Sequence, residues 1–415
     1  MLDALPSFNP DDVKLLVPAN DVAEPEVTIL VPSLNEELTI GQFVDWCHQG
    51  IAASGARVEI LIVDSSTDRT AEVAVARGAR VLKTPKRGLG RAYIDAIRFV
   101  RGRFIIMGDA DCTYDFREIA PFIAAFRKGA EFVMGSRFKG SIESGAMPPL
   151  HRYFGTPLTT FILNVMFNSR FSDIHCGMRG ITRDALIGMD LRSQGWEYAS
   201  EMVLKSVHMG LATTEVPINF LKDPEGRISH MKRRGWLEPW RAGWMNLRAM
   251  LTYGVDFFLV KPGALLFGVG FLFLIALTFG PLNVGPVRLS LNSMLLAMVM
   301  ASLGLSMLYS GGIASVMFDY SGSLGKRIER ALPYNATVIG SFCLTLLGVF
   351  AAVPLVRVFV SNNYILPPAG IETHWAVTGL WLVMAGFQTF IFILMVRALG
   401  VVLPEQRWPL KNARR

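Results

Sequence analysis

The stretch RFIIMGDAD, residues 103–111, is an apolar, β-branched run that ends in two carboxylates, Asp109 and Asp111, one residue apart. Such a run reads as a strand, so both carboxylates emerge at the carboxyl edge of a sheet. Four similar runs lie on either side of it: VTILVPSL (27–34), VEILIVDS (58–65), ARVLKT (79–84) and EFVMGSRF (131–138). Between them, the stretches near 37–53, 69–77, 89–101 and 116–128 have helical spacing, and the last sets Phe116, Ile119, Ile123 and Phe126 on one face. Alternating strands and helices predict an α/β fold with a doubly wound, mostly parallel sheet that binds ligands at its strand ends.

Which ligand is narrowed by what is missing. The chain has no GxxxxGK[ST] to cradle a triphosphate. Gly88-Leu89-Gly90 lacks the third glycine of a dinucleotide fingerprint and follows a late strand instead of the first. Cys47, Cys112, Cys176 and Cys343 have no CxxC spacing, which argues against a disulfide framework or a zinc site and fits a reducing compartment. The Asp109/Asp111 pair remains. Its hard oxygens suit Mg²⁺ or Mn²⁺ bridging to a diphosphate, although an isolated DxD at a strand end is more often a pair of solvated acids.

The 415 residues are 51% hydrophobic and 18% charged, too apolar for an ordinary soluble chain. The excess sits late, in four runs of membrane-spanning length near 263–282, 289–316, 337–360 and 375–399. Residues 1–235 read as a soluble domain, 236–262 as interfacial amphipathic helices, 263–400 as an all-α region of four transmembrane helices and 401–415 as a basic tail. The start, MLDALPSFNPDDVK, is acidic and lacks the apolar core of a signal peptide. Lys326, Arg327 and Arg330 in one loop, with Arg407, Lys411, Arg414 and Arg415 after the last span, outweigh Arg288 and Arg357 opposite. The positive-inside rule then predicts a multi-pass protein of the cell membrane with the soluble domain and both termini in the cytosol. The net charge of +7 has no nucleic-acid motif beside it. Arg233, Arg234, Arg241, Arg248 and Lys261, interleaved with Trp236, Trp240 and Trp244, instead suit an anionic bilayer surface.

In that setting the soluble domain resembles the family-2 glycosyltransferases of the GT-A fold, and among them the polyprenyl-phosphate sugar synthases of the dolichyl-phosphate mannose synthase type. VPSLNEE (31–37) resembles the nucleotide-binding strand end, IVDSSTDRT (62–70) the VDDGSTDGT segment and RGLGRAY (87–93) the LGLGTAY segment. DAD (109–111) matches the metal motif, GSR (135–137) a strand end and EVPINF (215–220) the approach to the last active-site loop. The resemblance implies a nucleotide-sugar donor, a polyprenyl-phosphate acceptor and a Mg²⁺ or Mn²⁺ cofactor. By position it places Pro32, Glu36, Asp64 and Gly90 at the donor, Asp109 at sugar or metal, and Asp111 on the metal. The family's glutamine two residues on is Thr113 here, so Asp115 or water would complete the metal's shell.

The resemblance assigns the acceptor phosphate to Arg137, Arg152 and Thr156. Thr156-Pro157 also reads as an N-cap followed by proline at N1. LTTFILNVMF (158–167 within TPLTTFILNVMF) fits either a helix on the bilayer or a core helix. Asp173 to Arg179, DIHCGMR, resembles the family's DxxxGFR and reads as packing and turning rather than a zinc site. Glu197 and Glu201, one helical turn apart, fit acceptor-loop support, action near the sugar or structural carboxylates. The last loop, FLKDPEGRISHMKRR, departs from pattern, with Asp223 where an arginine is expected and Arg227, Ser229 or His230 left for the diphosphate. Two other readings stand beside sugar transfer to a lipid: a processive polysaccharide synthase, whose QxxRW is missing here, and an inactive membrane scaffold. Whether the chain forms a homo-oligomer is open.

Overall fold

The computed structural model describes residues 10–224, 226, 244, 247–248, 250–252, 254–319, 323–365 and 370–402. The chain divides between Tyr253 and Gly254 into two compact units.

The first unit is built on one eight-stranded sheet, with strands β1 (Lys14–Leu16), β2 (Val27–Ser33), β3 (Val58–Asp64), β4 (Arg80–Lys83), β5 (Phe104–Met107), β6 (Phe132–Ile142), β7 (Arg179–Thr182) and β8 (Thr213–Phe220). Their order across the sheet is β1-β4-β3-β2-β5-β7-β6-β8. Helices α1 (Ile40–Ser54), α2 (Thr70–Ala76), α3 (Leu89–Ala96), α4 (Ala120–Arg127), α5 (Thr156–Phe167), α6 (Arg183–Met189) and α7 (Glu197–His208) connect and cover them. All seven residues of β3 are buried, which is why it reads as a run without alternation, apolar but for Glu59 and the terminal Asp64: helices take both faces, and no polar face is needed. Ile29, Leu30, Phe43, Leu61, Ile62, Phe116, Phe122 and Phe132 are fully buried and form the centre of this core.

Two features of the register position the site. β2 pairs with β3 in parallel from Val27↔Val58 to Ser33↔Asp64, but with β5 only as far as Leu30↔Met107. Past that pair the two strands part, at the point where strand order reverses, and this opens the crevice that doubly wound sheets use for ligands. Pro32, which has no N–H to donate, lies where the β5 ladder has already ended.

The sheet is wider than the five expected strands. β7 is antiparallel to both β5 and β6, and β8 is parallel to β6. Four residues such as RGIT are too short to show a period, so pairing partners, not pattern, make β7 a strand.

The second unit contains four helices long and apolar enough to cross a membrane: Phe257–Thr278, Leu291–Met317, Tyr334–Ser361 and Ile371–Val402. The first belongs to a helix that begins at Val255, inside the stretch expected to be interfacial, and carries Pro262. A hairpin of Leu282–Val284 with Val287–Leu289 joins the first two. Glycines let these helices touch: a Cβ on Gly304 would lie 2.2 Å from the Phe267 nitrogen, and one on Gly348 2.4 Å from the Gly379 carbonyl. In lipid, such close approach replaces the hydrophobic drive that holds soluble helices together.

Candidate active site

At the carboxyl ends of β2 and β3, the loops 33–39 and 65–70 are clasped together. Asn35 N donates to Ser66 Oγ (2.7 Å), Glu36 N to Thr70 Oγ1 (3.0 Å) and Thr67 N to Asn35 Oδ1 (3.0 Å). Asn35 adopts a left-handed conformation (φ 49°) that turns the chain after the strand, a geometry asparagine tolerates well. Glu36 is buried and accepts from Thr39 Oγ1 (2.9 Å), so its carboxylate also braces the start of α1. Asp64 is fully buried. Its Oδ1 accepts from Ser33 Oγ (2.9 Å), Ser66 N (3.2 Å) and Ser66 Oγ, whereas its buried Oδ2 has no hydrogen-bond partner. A buried carboxylate oxygen without a donor is costly unless a ligand supplies one.

β5 delivers the acidic pair to the same edge. Cys112, with φ 60°, reverses the chain just after Asp111. Thr113 donates to Asp111 Oδ1 from its backbone N (3.0 Å) and its hydroxyl (2.6 Å). The threonine in the glutamine's place therefore orients Asp111. The Asp115 carboxylate is engaged by its neighbour: it caps the following turn through Arg117 N (3.1 Å) and forks with Arg117 Nε and Nη2 (both 2.7 Å). Among the described residues no three His, Cys, Asp or Glu cluster as a metal site. Two carboxylates fit a divalent ion of the Mg²⁺ or Mn²⁺ type only if diphosphate oxygens and water fill the remaining positions, which is how Mg²⁺ is commonly held.

Gly90 answers to packing. A Cβ there would sit 2.1 Å from the Ser193 carbonyl oxygen, and one on Gly88, at φ 116°, would sit 2.3 Å from the Gln194 carbonyl. The segment that presses on them is held by Glu201, which accepts from Arg192 N (3.1 Å) and Ser193 N (2.8 Å) and pairs with Lys205 (2.7 Å). Glu201 is thus a satisfied structural carboxylate, while Glu197 pairs with Arg248 (2.6 Å). Gly90→Ala is expected to destabilise by about 1–3 kcal/mol through overpacking. Gly41→Ala, whose Cβ would meet nothing closer than 3.5 Å, should be neutral or slightly stabilising. Thermal unfolding of the two variants side by side checks this.

β6 lies parallel to β5, with β7 antiparallel between them. Met107 and Met134 both pair with Arg179, so three residues further on Ala110 and Arg137 reach the same height at the sheet edge. Arg137 is buried and forks onto fully buried Asp173, Nε to Oδ2 (2.7 Å) and Nη2 to Oδ1 (2.9 Å), while its guanidinium sits 5.3 Å from the Phe220 ring centroid. Burial opposes its charge, but the Asp173 carboxylate more than offsets that and raises its pKa. The fork uses Nε and Nη2, so Nη1 is the amine left on its outer side. Tyr114 stands between the acidic and basic halves. Its hydroxyl accepts from Gly177 N (2.7 Å), burial holds the phenol neutral, and the charges of both Arg137 and Asp109 reach it.

His175 links this pair to the segment carrying Arg152. Its N donates to Asp173 Oδ1 (3.2 Å), and its Nε2 is 2.8 Å from Thr159 Oγ1. Burial pushes the imidazole down to about 4, so His175 is neutral at neutral pH, and burial likewise pushes the Cys176 thiol up to about 12, so that side chain stays a thiol and not a metal-ligating thiolate. Since unfolded histidine titrates near 6.5, the unfolded chain binds a proton between pH 6.5 and about 4 that the folded one refuses. Stability should fall as pH drops through that window. His175→Gln should flatten the fall, as read from melting temperature against pH.

Thr156 is not a helix cap. The chain is helical from 149, passes through a π-turn at His151–Gly155 in which Thr156 N donates to the His151 carbonyl, and continues as α5 with no side-chain cap. The widened turn comes just before Pro157, whose missing N–H and ring interrupt regular α-helical bonding. Thr156 is buried, and Arg152 is half-exposed beside Tyr153, 5.5 Å from its ring centroid. Arg227, Ser229 and His230 lie outside the described residues, as do Arg233, Arg234, Trp236, Trp240 and Arg241. Sequence reasoning overlooked Tyr114 and Glu215, which pairs with Lys139 (2.6 Å) and accepts from Ser172 N (2.7 Å). Glu215 opens the EVPINF segment but was not singled out there, and Tyr114 stood in no motif; only the approach of β8 to the acidic loop, through Leu221 N to the Thr113 carbonyl (2.8 Å), brings Tyr114 into view.

Residues 28–188 match the Glycosyl transferase family 2 domain, the span that contains this edge. A relative in Haloferax volcanii, the low-salt glycan biosynthesis hexosyltransferase Agl6, is 36% identical over 307 residues, covering 74% of this chain and 72% of its own. The chain belongs to glycosyltransferase family 2. It is a glycosyltransferase with a GT-A fold and a helical region of four candidate membrane spans. A dolichyl-phosphate hexose transferase of the same organism is 26% identical over 195 residues, 47% of this chain and 82% of that one. A solved structure, glucosyl-3-phosphoglycerate synthase from Mycobacterium tuberculosis with Mg²⁺ and uridine diphosphate, has a TM-score of 0.42 and 19% identity, covering 55% of this chain and 79% of the other.

Proposed function

We propose that this glycosyltransferase moves a hexose from a nucleotide-sugar, GDP-mannose or UDP-glucose, to a membrane polyprenyl phosphate with inversion at the anomeric carbon. The observation that carries the reading is the pairing, at one sheet edge, of an acidic half for a nucleotide diphosphate with a basic half for a second phosphate. Asp64 Oδ2 is left to accept from a base N–H or a ribose hydroxyl. Asp109 and Asp111 would hold Mg²⁺ or Mn²⁺, which supplies positive charge against the diphosphate as the glycosidic bond breaks. Arg137 and Arg152 offset the repulsion between acceptor and donor phosphates. A phosphate monoester has a second pKa of about 6, so the acceptor oxygen is anionic at neutral pH and no protein base is required. Alignment by these residues does the rest.

The acceptor's membrane origin is supported by the segment around Arg152. Tyr153 (75% exposed), Phe154 (61%) and Phe161 (64%), with Leu150, Leu158 and Val165, leave an apolar stripe unburied along 150–165. Such a stripe on a chain with its own membrane-length helices suits the headgroup boundary of a bilayer. A relative bearing the name dolichyl-phosphate hexose transferase points the same way.

The test is a donor panel. Detergent-purified protein with polyprenyl phosphate, Mn²⁺ or Mg²⁺ and labelled UDP- and GDP-sugars should pass label into the lipid phase from one donor, and a chelator should abolish it. A polymeric product would replace this reading with processive synthesis, and absence of metal-dependent nucleotide-sugar binding would replace it with a scaffold.

A further inference from the structure

The second unit carries a groove of about 610 Å³ between its third and fourth spans, lined by Val349, Val353, Val356, Ala376 and Leu380, with Arg357 at one end. Its floor is set by sequence. Gly348 and Gly379 face each other at a separation that admits no Cβ, so the helices cross there, and small and β-branched side chains beyond the crossing leave a furrow. Arg357 lies one turn before the end of the third span at Ser361, is exposed, and has no carboxylate within ion-pair distance among the described residues.

Three successive crossings put the end of the third span on the membrane face opposite the start of the first. A guanidinium there cannot stay in hydrocarbon; it extends toward the headgroups and takes a counter-charge from them. Phosphate suits best, because the planar fork can pair with two of its oxygens. An apolar furrow beginning beside that fork takes the chain hanging from the same phosphate.

We propose that this groove is a binding site for one anionic phospholipid of the leaflet opposite the start of the first span, its phosphate on Arg357 and an acyl chain along Val349, Val353 and Val356. Nothing in sugar transfer requires this site, so it stands or falls separately from the reading above.

Native mass spectrometry of the full chain, delipidated in detergent and incubated with phosphatidylglycerol or with diacylglycerol of the same chains, tests it. One phosphatidylglycerol should be retained per chain and diacylglycerol should not. Arg357→Gln should weaken retention by about tenfold, the scale of one lost charge-assisted contact. Arg357→Lys should lose less, and Ala352→Phe, at a position that also lines the furrow and would fill it, should weaken it too. Equal retention by wild type and Arg357→Gln, both with intact thermal melts, overturns the proposal. So does polyprenyl phosphate displacing phosphatidylglycerol at equal concentration, which would assign the groove to a substrate lipid.

Discussion

Asp111→Ala is expected to lower kcat by roughly 10²–10³-fold, the scale seen when a preorganised electrostatic contact to developing charge is lost. Thr113 fixes Asp111 Oδ1 through two hydrogen bonds, so the carboxylate is held ready before any ligand arrives. Removing it should also raise the Mn²⁺ concentration needed for half-maximal rate, because no third acidic, histidine or cysteine ligand stands by among the described residues. Thr113→Val keeps the volume and removes the hydroxyl donor. It should shift the metal requirement in the same direction by a smaller factor while leaving the melt nearly unchanged. Steady-state rates against Mn²⁺ for the three proteins check this; full activity of Asp111→Ala would remove the carboxylate from the reaction.

The second large effect is on stability. Asp173→Ala leaves the buried Arg137 guanidinium without its bidentate partner, a loss expected to cost about 3–5 kcal/mol. His175 N and Arg137 N lose the same acceptor, so the turn that links the arginine to α5 should loosen as well. Replacing both partners with apolar residues, Arg137→Met with Asp173→Leu, should recover most of the melting temperature, since an ion pair exchanged for good packing is often neutral. Transfer activity should not return with it. That separation distinguishes an arginine that acts on phosphate from one that merely fills the core; recovery of activity in the apolar double variant would make Arg137 structural.

The apolar runs at 27–34, 58–65 and 103–111 were legible as strands because β2, β3 and β5 are covered by helices and need no polar face. The four membrane-length helices were legible for the same reason, since lipid asks only for length and hydropathy. Thr156 shows where reading stops. Thr-Pro carries the local chemistry of a helix start, but the chain before it is already helical, and a π-turn absorbs the proline. Local pattern cannot see that the chain before Thr156 is already helical, or that α5 is held from outside by Thr159 against His175. Asp115 shows the same limit: the sequence offers it as a carboxylate beside the acidic pair, and only the fold shows it paired with Arg117.

The sequence by itself determined five of the sheet's eight strands, the membrane-length spans and the types of charge at the strand ends, because these depend on hydropathy, period and side-chain chemistry that every residue carries with it. The partners were decided by tertiary structure. Asp64 gained one satisfied and one bare oxygen, Arg137 gained a buried carboxylate, and Gly90 gained a carbonyl where a side chain would go, each through contact with residues far along the chain. Such contacts depend on register and burial, which no short stretch of sequence contains.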